Sequence, residues 1–383
     1  MDAFRLHQHL VGQQGSRRSL NTPVLVIELE AMERNIATMA AFARQRGKNL
    51  RPHSKTHKSH EIARRQIAAG ALGICCAKLG EAEAMADANI PGILITSPVV
   101  TPQGIERLVA LNQRSKGLMQ TIDNAGNVAA LETAAAEAGT ILSLVVDIDP
   151  GMHRTGISDD AQLVRLARQI TDVKHLHFAG VQFYSGRLQH VEDFAERRQS
   201  VERETVRLKR LVEELRSAGL APPIVTGSGT GTHGIDASLG VFSEFQCGSY
   251  IFMDVQYEAV DLRGDLQAGR AQPFEQSLFV DTTVISANTK GMATADAGLK
   301  AFSTDGPMPV IASGAPDGSS YRFFGDEYGA VSLPEGQSLP IGSLLSCQPP
   351  HCDPTVNLYD AYHVVKGDIL IDIWPISARG LSR

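Results

Sequence analysis

The sequence predicts a (β/α)8 barrel followed by a smaller antiparallel β domain. Three observations carry that prediction. Apolar runs of strand length alternate with amphipathic segments from residue 24 onward; the alternation stops near residue 255; and beyond it Gly, Pro, Ser and Thr punctuate short alternating runs. Short continuous apolar runs between helices imply parallel strands buried on both faces.

The apolar runs fall at residues 24–29, 50–53, 73–77, 92–96, 118–122, 142–148, 178–183 and 223–226. Helical periodicity occupies 31–46, 60–69, 80–88, 102–113, 124–138, 160–170 and 191–218. Eight such strands fit a closed barrel, with an open doubly wound sheet as the alternative. Runs at 276–284, 309–313 and 363–373 read as β-domain strands. The expected division is residues 20–255 for the barrel and 256–383 for the β domain, with residues 1–19 packing against the latter.

At 383 residues and 43% hydrophobic, the chain is long enough to fill both cores. A net charge of −6 argues against nucleic acid, since no basic surplus exists to neutralise phosphates. Five cysteines without framework spacing read as reduced thiols and place the protein in the cytoplasm. No signal peptide and no membrane span is expected.

Barrel chemistry sits at the C-terminal ends of the strands. The run Arg51-Pro52-His53-Ser54-Lys55-Thr56-His57-Lys58 begins at one such end. Pro52 biases Arg51 toward an extended conformation. A cluster this polar is not expected in the core, so Lys55 should stand at the barrel mouth. A lysine there forms a Schiff base if its surroundings keep it partly deprotonated; the alternative is a solvated basic loop. After residues 223–226 comes Gly227-Ser228-Gly229-Thr230-Gly231-Thr232, and then Gln246-Cys247-Gly248-Ser249-Tyr250. Alternating glycines let backbone N–H groups converge on a phosphate, with hydroxyls as further donors. The spacing is neither that of a Walker loop nor that of a dinucleotide fingerprint. A phosphate cradle and a strand-end lysine together describe a pyridoxal 5'-phosphate site.

Arg154, within residues 149–156, can hydrogen-bond the cofactor's phenolic oxygen, or else pair with Asp147 or Asp149. Tyr184 can stack near the cofactor ring or simply pack. His190 can transfer a proton or lie on a helix surface. In the β domain, His351 and Asp353 flank Cys352. On an extended strand these two share one face while Cys352 points elsewhere. An imidazole and a carboxylate with open positions suit Mn2+ or Mg2+; a thiolate in the second place would favour zinc.

Residues 51–58, 149–156, 227–232, 246–254 and 350–357 together resemble the D-threonine aldolase family. That family is related to D-serine dehydratases and 3-hydroxy-D-aspartate aldolases, on an alanine-racemase-type barrel with a C-terminal β domain. The likeness spans nearly the whole chain in the expected order. It implies Lys55 as the Schiff-base lysine, cofactor contacts from Arg154, Tyr184, Thr230, Gly231, Gly248, Ser249 and Tyr257, metal ligation by His351 and Asp353, and a homodimer. His-x-Asp is the aldolase form of the metal pair, whereas dehydratase relatives carry His-x-Cys. The implied activity is retro-aldol cleavage of a D-β-hydroxy amino acid to glycine and an aldehyde, with His190 as candidate base. A 3-hydroxy-D-aspartate aldolase, and a D-serine or 3-hydroxyaspartate dehydratase giving keto acid and ammonia, are the alternatives. A racemase would need two opposed bases and no metal, and a pyridoxal-phosphate carrier would be a lone barrel. Recognition of a second substrate carboxylate would need a spare arginine, for which Arg187 and Arg322 are candidates.

Overall fold

The computed structural model describes residues 3–264 and 272–383. Eight parallel strands form one sheet: β2 (Asn49–Leu50), β3 (Cys75–Cys76), β4 (Leu94–Ile95), β5 (Met119–Ile122), β6 (Leu142–Asp147), β7 (Leu176–Phe183), β8 (Ile224–Gly227) and β9 (Glu244–Phe245). Their order is β2-β9-β8-β7-β6-β5-β4-β3. A parallel bridge between His53 and Cys75 joins the two ends, backed by bonds from Leu72 N to Leu50 O and from Cys75 N to Pro52 O, both 2.8 Å. The barrel is closed.

Its helices are started by the residues that local chemistry favours. Thr101 accepts from Gly104 N ahead of Pro102–Arg114, Asn124 from Gly126 N and Asn127 N ahead of Ala125–Glu137, and Asp193 from Glu196 N ahead of Phe194–Ser217. Alternate strand residues point outward under these helices and inward to the lumen. Leu144, Val146 and Val181 belong to the outer core, whereas Cys75, Leu94, Val145 and Ala179 form a separate lumen cluster. Deeper polarity is paired: Arg51 makes a bidentate bond to Glu244 at 2.9 and 3.0 Å, and both are buried.

One expected barrel strand lies elsewhere. The run at 24–29 forms β1 (Val24–Glu28), antiparallel to β10 (Leu278–Thr289) and parallel to β16 (Ala361–Lys366). The eighth barrel strand is instead β9, two residues long and too short to show periodicity. An apolar run buried on both faces satisfies either sheet, which is why the pattern alone could not assign it.

The second sheet has nine strands: β1, β10, β11 (Met292–Ala295), β12 (Val310–Ser313), β13 (Ser320–Phe323), β14 (Gly329–Ser332), β15 (Leu344–Gln348), β16 and β17 (Ile369–Pro375). All its pairings are antiparallel except β1 with β16. Residues near the N-terminus lie against it: Gly12 N donates to Leu370 O, and Arg17 pairs with buried Asp281. Among the described residues, no helix is long and apolar enough to cross a membrane. All five cysteines are free and buried.

Candidate active site

Lys55 lies on a single turn, Ser54–Thr56, directly after the strand end. Residues 51–54 and 56–59 are buried, contrary to the expectation that so polar a run would stay out of the core. Specific partners make the burial tolerable. Ser54 Oγ donates to Cys75 O (2.9 Å), Tyr362 Oη on β16 donates to His57 O (2.6 Å), and Lys58 pairs with buried Glu81 at 2.7 Å. Lys55 alone opens to solvent, its side chain 36% exposed.

The Lys55 ammonium makes an ion pair and hydrogen bond with Asp353. Burial opposes the charge on Lys55, but Asp353 outweighs it and the lysine pKa is raised. The pairing thus favours the charged form of Lys55, whereas Schiff-base formation needs the lysine partly deprotonated. Burial likewise works against the Asp353 carboxylate, yet Lys55 and His351 hold its pKa well below the usual range.

His351 and Asp353 are not on a strand. β15 ends at Gln348, His351 is the extended N-cap, and Cys352–Val356 is a short helix. Pro354 sits in its first turn, where a missing N–H costs nothing. Cys352 still points away from the pair, as expected: it is fully buried, with Sγ on Met253 O at 3.1 Å and its N–H on Asp254. The ring of His351 lies 6.4 Å from that of His190, which contacts Tyr257 at 4.6 Å. His190 is not a helix-surface residue, since it precedes Phe194–Ser217. Partial desolvation and the nearby His351 and Lys55 lower its pKa.

Arg154 pairs with neither Asp147 nor Asp149. Asp149 instead accepts from Gly151 N, Met152 N and His153 N at 2.9, 2.7 and 3.1 Å, which folds the loop back. The Arg154 guanidinium thereby stands 5.9 Å from the Tyr184 ring centroid. Both residues line a cavity of 510 Å3 together with Lys55, His53, Gln182 and Gln246. His53, a cavity-lining group that no sequence motif marks, is held neutral because burial lowers its pKa to about 3. Arg187 pairs with Glu204, and Arg322 lies on β13 against Phe324, so neither lines this cavity. The cation the sequence did not single out is Lys78, an exposed lysine on its rim.

The glycine loop is more occupied than expected. Gly231 N donates to Gln189 Oε1 (2.9 Å), and a Cβ on Gly231 would sit 2.1 Å from Gln189 O. That glycine serves close packing. Thr230 Oγ1 accepts from Tyr250 N (3.0 Å) and so ties the loop to the turn Ser249–Ile251. Gly248 lies flat on the lysine turn, where a Cβ would come within 2.8 Å of Thr56 Oγ1. The structure thus brings the two loops and Lys55 to one end of the barrel.

The residues present fit both expected groups. A cavity of this volume is of the size small-molecule sites take, and Lys55, Arg154 and Tyr184 line it together. Asp353 Oδ1 is also buried and partnerless, which suits a cation beside His351.

Barrel, β domain and site define a class. Residues 27–256 match the family model described as "Alanine racemase, N-terminal domain", and residues 277–365 match "Putative serine dehydratase domain". Within that class, the chain belongs to the family of D-threonine and 3-hydroxy-D-aspartate aldolases. It is 40% identical over 366 residues to a D-threonine aldolase of Arthrobacter sp., covering 95% of this chain and 94% of that one. It is 36% identical over 364 residues to the 3-hydroxy-D-aspartate aldolase of Paracoccus denitrificans (strain Pd 1222), covering 94% and 92%. The crystal structure of D-threonine aldolase from Filomicrobium marinum superposes with a TM-score of 0.90 at 35% identity, covering 96% and 97%.

Proposed function

We propose that this chain is a pyridoxal-phosphate- and divalent-metal-dependent aldehyde-lyase that cleaves D-β-hydroxy amino acids of the D-threonine type to glycine and an aldehyde. The observation that carries the reading is the contact between Lys55 and Asp353, 298 residues apart in sequence. It sets the lysine that would take the cofactor beside the carboxylate that would take the metal.

Bound at Lys55, pyridoxal phosphate supplies an electron sink for the carbanion left at Cα. A divalent ion on His351 and Asp353, Mn2+ or Mg2+ by its ligand type, supplies Lewis acidity at the β-hydroxyl. The protein's own groups do the remainder. Arg154 and Tyr184 would hold the cofactor ring, and Thr230, Gly248, Ser249 and Tyr257 would grip its phosphate end, the loop being held by Gly231 against Gln189. His190, neutral through its lowered pKa, receives the hydroxyl proton. Cys352, buried and turned away, supports the aldolase form of the site over the thiolate form of a dehydratase. The same reading takes the enzyme as a cytoplasmic homodimer, with five buried thiols in keeping with a reducing compartment.

A 3-hydroxy-D-aspartate substrate is the second reading. The 36% identical relative and the cations Arg154 and Lys78 at the cavity favour it. Products from D-threonine, with pyridoxal phosphate and Mn2+ and again after chelation, test the first reading. Glycine plus acetaldehyde, lost on chelation, is expected; 2-oxobutanoate plus ammonia would overturn it in favour of a dehydratase. Turnover of 3-hydroxy-D-aspartate alone would select the second reading.

A further inference from the structure

Segment 301–306 of the β domain does more than cross the surface. Ser303, itself buried, accepts from His351 N through Oγ (3.1 Å), while its own N–H donates to Thr355 Oγ1 (3.0 Å). Thr355 Oγ1 in turn donates to His351 O (2.8 Å), and Tyr359 Oη donates to Ala301 O (2.8 Å). Three of these bonds fix the segment against the short helix that carries Asp353 and its flanks, and the fourth braces the helix cap itself. They also fix the next acidic residue along, Asp305, whose Oδ2 lies 2.8 Å from His351 Nδ1.

A carboxylate can only accept, so Nδ1 carries a proton, and in the neutral ring that a metal ligates the lone pair then resides on Nε2. A metal-ligating histidine needs this arrangement, because the hydrogen bond on one ring nitrogen sets the tautomer, the ring direction and the basicity of the other. We propose that Asp305 is a positioning residue for the metal site: it orients His351 so that Nε2 is the ligating atom, and it raises the affinity for the divalent cation. This rests on the reading of His351 as a metal ligand. The plain alternative is a surface ion pair, since the Asp305 side chain is 53% exposed, and such a pair would leave metal affinity unchanged.

Titration of cofactor-loaded enzyme with Mn2+, following the free-ion signal by electron paramagnetic resonance, separates the cases. Asp305→Ala should weaken Mn2+ binding by about 10–100-fold, the usual cost of losing such an outer partner. The cofactor spectrum and thermal midpoint should match those of the wild type. Asp305→Asn, whose amide oxygen still accepts from Nδ1–H, should fall between Asp305→Ala and the wild type. Mn2+ affinity of Asp305→Ala within about twofold of wild type, or an equal loss in both variants, would overturn the orienting role. His351→Ala is the control for the underlying reading. If it binds Mn2+ as tightly as wild type, His351 is no ligand and the metal assignment itself fails; if it loses Mn2+ while Asp305→Ala keeps it, only the role of Asp305 fails.

Discussion

Lys58 Nζ lies 2.7 Å from Glu81 Oε1 in an ion pair whose side chains are only 8% and 3% exposed. The other oxygen of Glu81 accepts from Ala77 N and Lys78 N at 2.8 and 3.2 Å. One carboxylate therefore joins the lysine turn after β2 to the helix after β3. Removing it in Glu81→Ala would strand a buried ammonium and two amide donors. We expect a loss of about 3–5 kcal/mol in unfolding free energy, the cost of breaking a buried pair from one side, read by urea denaturation. Pyridoxal phosphate affinity should fall with it, because Lys55 rides on the same turn.

Lys55→Ala should abolish covalent attachment of pyridoxal phosphate. After borohydride treatment the wild-type mass should rise by one cofactor and the variant mass should not change. A mass increase in the variant would assign the attachment to another lysine, such as Lys78, which lines the same cavity.

Asp353→Ala should keep the cofactor and lose both metal binding and cleavage. Metal content after dialysis and glycine production from D-threonine read the two effects separately. Cleavage that persists in this variant and survives chelation would remove the metal from the mechanism.

His190→Ala should lower kcat by about 100- to 10,000-fold, the range for loss of a positioned base, without altering cofactor attachment. Since desolvation and the nearby His351 and Lys55 lower the His190 pKa, the acid limb of the kcat profile should lie below pH 6.5, the ordinary histidine value. A limb at or above that value would assign the base to another group.

His57 gives a pH dependence of stability. It is fully buried, its Nδ1 accepts from Ser59 N at 3.1 Å, and burial lowers its pKa from 6.5 to about 4. As pH falls the unfolded chain takes up this proton first. Its contribution is therefore complete above pH 6.5 and lost as pH falls through that value toward about 4. Across this window the wild type should lose on the order of 1–3 kcal/mol more than His57→Asn, measured by denaturation at a series of pH values. An identical pH dependence in the two proteins would show that His57 does not titrate on unfolding.

Much of the architecture was legible because parallel strands buried on both faces require continuous apolar runs, and seven of the eight barrel strands in the structure overlap such a run. Two stretches of local structure differ from what the pattern predicts, for identifiable reasons. Residues 24–28 are apolar in a way that suits either sheet, and β9 consists of only Glu244 and Phe245. At 350–356 the spacing of His351 and Asp353 satisfied a strand, yet Pro354, tolerated in a first helical turn, was a local sign of the helix that forms. Nothing local marked Asp305, since an acidic residue in a loop has no motif, and its role arises only from a bond across 46 residues.

By itself the sequence determined the repeating βα order, the lysine at a strand end, the glycine-rich loop and the His-x-Asp pair. These depend on neighbours in the chain, where periodicity and side-chain chemistry act directly. Only the tertiary structure decided that the polar run around Lys55 is buried, that Lys55 pairs with Asp353, and that His190 and Asp305 flank His351. Those outcomes depend on how the β domain docks over the barrel mouth. That docking is governed by the burial of surfaces from residues hundreds of positions apart, and no local pattern encodes it.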